Sequence, residues 1–118
     1  MSKLSVTWHK CGDDHHWCSF ENLTLDKMTD KGVYVIWHQG NPGKVVYVGQ
    51  GDVADRITAH RSDKRITKYA DRVLRVTWAE LSVFQWDGVE RYLADRYSPL
   101  VGDAHPDCGP IEVNGPWD

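Results

Sequence analysis

A chain of 118 residues, 41% apolar and 26% charged, has room for one domain and the composition of an ordinary globular chain. The expectation is a single domain in these residues, with no repeat array and no membrane-spanning run. The net charge of −3 argues against a nucleic-acid binder, which usually carries a basic surplus, unless the positive charge is concentrated in one place. The opening residues MSKLSVTWHK hold no apolar run of signal-peptide length, and the cysteines number three. The expectation is a cytoplasmic protein without membrane association, whose cysteines are free thiols or metal ligands and not a disulfide framework.

In chain order, residues 1–31 form an N-terminal cap crowded with Trp8, His9, Cys11, His15, His16, Trp17 and Cys18. Residues 5–8 read as an edge strand, 13–17 as a loop and 23–25 as a short extended piece. Zinc is one reading of the cluster, with Cys11, His15 or His16, and Cys18 joined by His105 or Cys108. The C-x6-C spacing matches no zinc motif, so a tight metal site is not expected there, and packing of Trp and Cys is the plainer account.

The stretch GVYVIWHQGNPGKVVYVGQGDVADRITAH follows. Residues 33–37 and 45–48 are β-branched and aromatic, and Gly40, Asn41, Pro42 and Gly43 between them are turn residues, which predicts a β-hairpin. Gly49, Gln50 and Gly51 are expected to break the second strand. Asp52 is placed to cap a helix from Val53, on which Arg56 and His60 share one face beside an apolar stripe of Val53 and Ile57.

A short helix over 62–69 and a third strand over 72–81 come next. Arg56, His60, Arg61, Lys64, Arg65, Lys68, Arg72 and Arg75 fall in one short stretch, either a phosphate-facing patch or a solvated surface. Asp87 followed by Glu90 reads as a capping box, and Val89, Tyr92, Leu93, Arg96 and Tyr97 form a helical stripe ending before Pro99. Residues 105–118 carry three prolines and two glycines, with 111–113 as the only strand candidate, and read as an extended tail wrapping the domain.

Gly32-Val33-Tyr34, then Tyr47-Val48-Gly49, then a helix with Arg56, then Glu90 followed by Pro99, resemble in type and order the GIY-YIG endonuclease superfamily, over about residues 32–102. With the pattern reading, this gives an α/β domain. A small three-stranded, mostly antiparallel central sheet is flanked by helices, with 1–31 as cap, 32–104 as core and 105–118 as tail. The resemblance implies metal-dependent hydrolysis of phosphodiester bonds, leaving 5′-phosphate and 3′-hydroxyl ends. Tyr34 would be the general base toward water, and Tyr47 would contact the phosphate or orient the water. Arg56 would grip the scissile phosphate through its planar fork, and His60 would assist proton movement. Glu90 would hold Mg2+ or Mn2+. Gly49, Gly51, Arg61, Lys64, Arg65 and Lys68 would contact the nucleic acid, with DNA as the expected partner.

Read without the resemblance, the two tyrosines are core or cross-strand residues and Glu90 closes a capping box. The asparagine that many members carry after the proline is absent, since Pro99-Leu100-Val101-Gly102 leads into Asp103, and Asn114 could replace it only if the tail folds back. Two rival functions stand beside the nuclease. One is a non-catalytic module of the same fold that binds nucleic acid or a phosphorylated small ligand through Arg56 and the basic segment; the other is a zinc-stabilised interaction protein.

Overall fold

The apolar runs of the hairpin pair as their composition requires and form the middle of the sheet. A computed structural model describes residues 4–102 and 105–118. Its strands are β1 (Cys18–Ser19), β2 (Lys31–His38), β3 (Lys44–Asp52) and β4 (Leu74–Glu80). Its helices are α1 (Val53–His60), α2 (Lys64–Thr67) and α3 (Val83–Tyr97), with a 3-10 turn at Ala70–Arg72. The sheet is antiparallel in the order β1-β4-β2-β3. Among the described residues no helix is long and apolar enough to cross a membrane.

Central β2 is covered on both faces, which is why KGVYVIWH is nearly continuous in apolar residues instead of alternating. Tyr34, Ile36, Val46, Leu74, Val76 and Trp78 pack on one face against Val53, Ile57 and Ile66 of α1 and α2. Val33, Val35, Trp37, Val45 and Ala79 pack on the other against Val89 and Leu93 of α3 and Val113 of the tail. An eight-residue helix such as α1 is marginal in isolation. Full burial of Val53 and Ile57, each contributing roughly 1.5–3 kcal/mol, is what holds it.

The structure corrects several expectations. The sheet has four strands and not three, because Cys18 and Ser19 pair with Val76 and Arg75. A two-residue strand has no periodicity to read. Residues 5–8 are not a strand: Leu4 makes an isolated parallel bridge to Val113, and the segment is tied to the tail instead. Gly49, Gln50 and Gly51 do not break β3 but continue it, opposite Tyr34, Val33 and Gly32. The third strand begins at Leu74 and not at residue 72, because Val73 takes a left-handed φ of 61° and leaves the ladder. Asp87 and Glu90 are not a capping box, since α3 starts a turn earlier at Val83 behind Ser82. Val83 and Phe84 are exposed, so the true first turn lacks the apolar pattern that marks a helix start. The expected end of the core at residue 104 lies outside the described residues.

Cys11 and Cys18 form a disulfide, overturning the expectation of free thiols. An odd cysteine count left one pair available, and only the tertiary arrangement brings these two together. Cys108 is free and exposed. The disulfide closes a short loop of sequence separation 7 and ties β1, which pairs with β4, to the segment before it. Chain entropy over so small a loop gives a stabilisation of roughly 2–3 kcal/mol. Reduction, or the double substitution Cys11→Ser/Cys18→Ser, is therefore expected to lower the melting temperature by on the order of 10 °C, read by circular dichroism. An unchanged melting temperature would mean that the loop is held without the bond.

Candidate active site

Asp52 ends β3 and caps α1, its carboxylate accepting from the Asp55 amide at 3.2 Å. The cap sets the direction of the helix, and the buried stripe of Val53 and Ile57 sets its rotation. His60 is thereby turned inward, 4% exposed, while Arg56 one turn earlier stays half-buried. Gly51 permits the approach to the helix with a φ of 126° that a side chain would strain.

These constraints bring two residues to one oxygen atom of a third. The Tyr34 Oη lies 2.6 Å from His60 Nε2, and Arg56 Nε donates to the same Oη at 3.4 Å. The hydroxyl donates to His60 Nε2 when the ring carries its proton on Nδ1, and accepts from it in the other tautomer. Tyr47 closes the group, its ring 4.3 Å from that of His60 and stacked 6.1 Å from that of Tyr34. Gly49 faces Tyr34 across the ladder, and a Cβ there would collide with the phenol oxygen. Its role is to make room for that hydroxyl over the edge strand, where the sequence suggested only substrate contact.

Burial raises the Tyr34 pKa well above the usual phenol range, and the Arg56 hydrogen bond only partly opposes it. A phenol that acts as a base through a lowered pKa would need the opposite shift. The Tyr34 hydroxyl in turn raises the Arg56 pKa, with Tyr47 adding to the effect, so the guanidinium stays charged.

Glu90 comes from the other side of the sheet. It lies in the middle of α3, 6% exposed, so its carboxylate is not spent on the helix terminus. His105 Nδ1 bonds Glu90 Oε2 at 2.8 Å. Burial raises the Glu90 pKa, with His105 acting against it, Asp87 adding to it and Arg56 opposing it. The charges of Arg56 and, more weakly, Glu90 also act on Tyr34. One turn back on α3, Asp87 accepts from Gln50 Nε2 at 2.9 Å, tying the helix to β3 beside Gly49 and Gly51. The sequence offers His105 only as an alternative ligand of a zinc site that is not expected to form, and gives Gln50 no part in the active site. The bond between His105 and Glu90 spans 15 positions and leaves no local pattern.

The basic segment divides. Arg61 does not face outward to a ligand: its Nε and Nη2 donate to the carbonyls of Phe20 and Leu23 at 2.9 and 2.7 Å, holding the N-terminal cap. Arg65 is paired with Asp63 at 2.7 Å. Arg75 donates to the Trp17 carbonyl at 3.2 Å. Lys64 and Lys68 are exposed, the latter over the Tyr69 ring at 5.2 Å. The tail does fold back, but Asn114 is not in the site: its amide bonds both Val6 N and Val6 O, at 2.8 and 3.0 Å. Nor do Cys11, His16, Cys18 and His105 gather as one set of zinc ligands. Cys11 and Cys18 are consumed in their disulfide, His16 bonds Asp14 at 2.6 Å, and His105 is on Glu90. Clefts of about 560 and 530 Å³ lie around Lys44 at the other end of the hairpin and include none of Tyr34, Arg56, His60 or Glu90. The side-chain chemistry, not cavity volume, marks the candidate site.

Comparison of the chain with protein-family models, with curated proteins and with solved structures finds no match.

The pKa of Glu90 makes a testable link to stability. A carboxyl whose folded pKa lies above its usual 4.5 keeps its proton longer in the folded state, so folding loses stability as pH rises from that value through the folded pKa. Glu90→Gln removes this titration while keeping an oxygen for His105. Urea unfolding is expected to show the variant gaining on the parent as pH is raised above 4.5. A difference that stays flat with pH would show that Glu90 titrates like an exposed carboxyl.

Proposed function

We propose that the chain is a metal-dependent endonuclease that hydrolyses phosphodiester bonds, in the manner of the GIY-YIG enzymes its motifs resemble. The observation that carries this reading is the meeting of Arg56 and His60 on the Tyr34 hydroxyl, with the charge of the buried Glu90 acting more weakly on the same tyrosine. A purely structural tyrosine needs one hydrogen-bond partner. Here a permanent cation and a proton acceptor sit on a single phenol.

In the proposed reaction, water attacks phosphorus in line. Its proton passes to Tyr34 Oη as the phenol proton passes to His60 Nε2, 2.6 Å away. No phenolate accumulates, so the raised pKa of Tyr34 is compatible with the role, and histidine receives a proton readily near neutral pH. Arg56, held by the Tyr34 hydroxyl on its Nε and hydrogen-bonded also by Tyr47, would turn its remaining donors to the phosphate oxygens. Tyr47 packs on the His60 ring and keeps it aligned. The departing 3′-oxygen takes a proton from solvent, which leaves 5′-phosphate and 3′-hydroxyl ends.

Glu90 fits a hard cation. It is a carboxylate in the middle of a helix, with one oxygen on His105, and Mg2+ commonly takes one or two carboxylates and keeps several waters. A Mg2+ or Mn2+ ion held there would supply charge stabilisation to the pentacovalent phosphorus. The cytoplasmic setting expected from the sequence is the harder one for the Cys11–Cys18 disulfide, which is more at home in a non-reducing compartment.

The test is cleavage of single-stranded, duplex, branched and RNA substrates in Mg2+ or Mn2+. Tyr34→Phe and Glu90→Gln should each lower the rate by about 100-fold or more without loss of fold. Near-parent cleavage by Glu90→Gln would sink the metal assignment. A parent that cleaves nothing but binds these substrates would favour the non-catalytic module.

Binding supplies a separate check. Of the candidate contacts, Lys64 and Lys68 are exposed, and Lys64→Gln/Lys68→Gln should lower the slope of log affinity against log salt by roughly 2, or somewhat less on a single strand. Arg61→Gln should instead lower stability by about 2 kcal/mol, because it strips hydrogen bonds from the Phe20 and Leu23 carbonyls. An unchanged salt slope in the double variant would assign the two lysines to a solvated face.

A further inference from the structure

Away from the Tyr34 group, three chain segments place an imidazole and two carboxylates around a common point. His9 comes from the N-terminal segment, Asp30 from the residue before β2 and Glu80 from the end of β4, and one ligand atom of each lies within 4.8 Å of the others. His9 Nε2 is 3.9 Å from Asp30 Oδ2 and 3.7 Å from Glu80 Oε2.

Those separations are too long for hydrogen bonds. Elsewhere in the same chain, histidine and carboxylate close to 2.6 Å in His16–Asp14 and 2.8 Å in His105–Glu90. Around a tetrahedral ion with bonds near 2.0–2.1 Å, neighbouring ligand atoms stand about 3.3 Å apart. The observed spacing is therefore closer to the edges of a coordination polyhedron than to a contact pair.

The side chains are also held by partners outside the trio. The His9 amide donates to the Trp78 carbonyl at 3.0 Å, and its own carbonyl accepts from Thr77 Oγ1 at 2.7 Å. Its ring stacks on Trp78, with centroids 5.1 Å apart and planes within 9°. Asp30 Oδ2 accepts from Trp78 Nε1 at 2.8 Å, an outer hydrogen bond of the kind that orients metal-ligating carboxylates. Glu80 is carried by the β4 ladder opposite Gly32. All three side chains retain solvent access, at 37%, 28% and 55% exposure, so an ion has a path in and water can complete its shell.

We propose that His9, Asp30 and Glu80 bind one Zn2+ ion, which fastens the N-terminal segment to the end of the sheet. The imidazole favours zinc over Mg2+, and two carboxylates offset its charge. The site shares no residue with the proposed nuclease centre and does not depend on that reading.

The experiment is calorimetric titration of Zn2+ into the disulfide-intact chain after dialysis against chelator, with stoichiometry from native mass spectrometry. One equivalent of zinc should bind to the parent. Affinity should fall at least about 10-fold in His9→Ala and in Glu80→Gln, the second of which alters only a half-exposed carboxylate and should not disturb folding. Glu90→Gln and Cys108→Ser should bind zinc as the parent does, which separates this site from the other donors. No binding by the parent, or parent-like affinity in folded His9→Ala or Glu80→Gln, would overturn the proposal.

Discussion

Much of the candidate site rests on one steric fact: the Tyr34 hydroxyl lies over Gly49, where any Cβ would collide with it. Tyr34 stands on the central strand and Gly49 on the neighbouring edge strand, directly opposite. With a side chain at position 49, the phenol could not hold its present place, and its bonds to His60 and Arg56 would be lost together. The glycine is thus a requirement of close approach between two strands, and the register of the hairpin turns it into a requirement of the site. Gly51 acts through its backbone, allowing β3 to run into Asp52 and α1.

The sheet separates the donors of the site. Tyr34 packs with the α1 face, whereas Glu90 belongs to a helix packed on the opposite face. They influence one another past β3, where the edge strand carries small residues and where Gln50 is bonded to Asp87 of α3. The arrangement couples stability to electrostatics: burial disfavours the charged form of both Tyr34 and Glu90, and Arg56 opposes each shift. A buried carboxylate near a half-buried cation is costly to maintain.

The chain ends act as braces. Asn114 ties Val6, and Ile111 donates to the Gly88 carbonyl, so the tail bridges the N-terminal segment to α3. Arg61 performs the same service for residues 20–23 on the other face. This is why a basic-looking run yields fewer outward charges than its composition suggests. Arginine is well suited to joining backbone carbonyls, and a sequence cannot distinguish that use from a phosphate contact.

What the sequence determined by itself is local. Period and composition placed the hairpin, the Asp52 cap, the common direction of Arg56 and His60 and the presence of the α3 helix, because each depends on residues within a few positions of one another. A shared site for Tyr34, Tyr47, Arg56 and Glu90 came from the resemblance to the GIY-YIG superfamily and not from any local pattern. Tertiary structure decided the rest. The β1 strand, the Cys11–Cys18 bond, the roles of Arg61 and Asn114 and the contact of His105 with Glu90 join segments by packing, and packing between distant segments leaves no period in a sequence. The start of α3 was misread because exposed Val83 and Phe84 mimic no amphipathic turn, whereas Asp87 mimics a cap. The sign of the Tyr34 shift was hidden for the same reason, since burial is a property of the assembled fold and not of the tyrosine's neighbours in the chain.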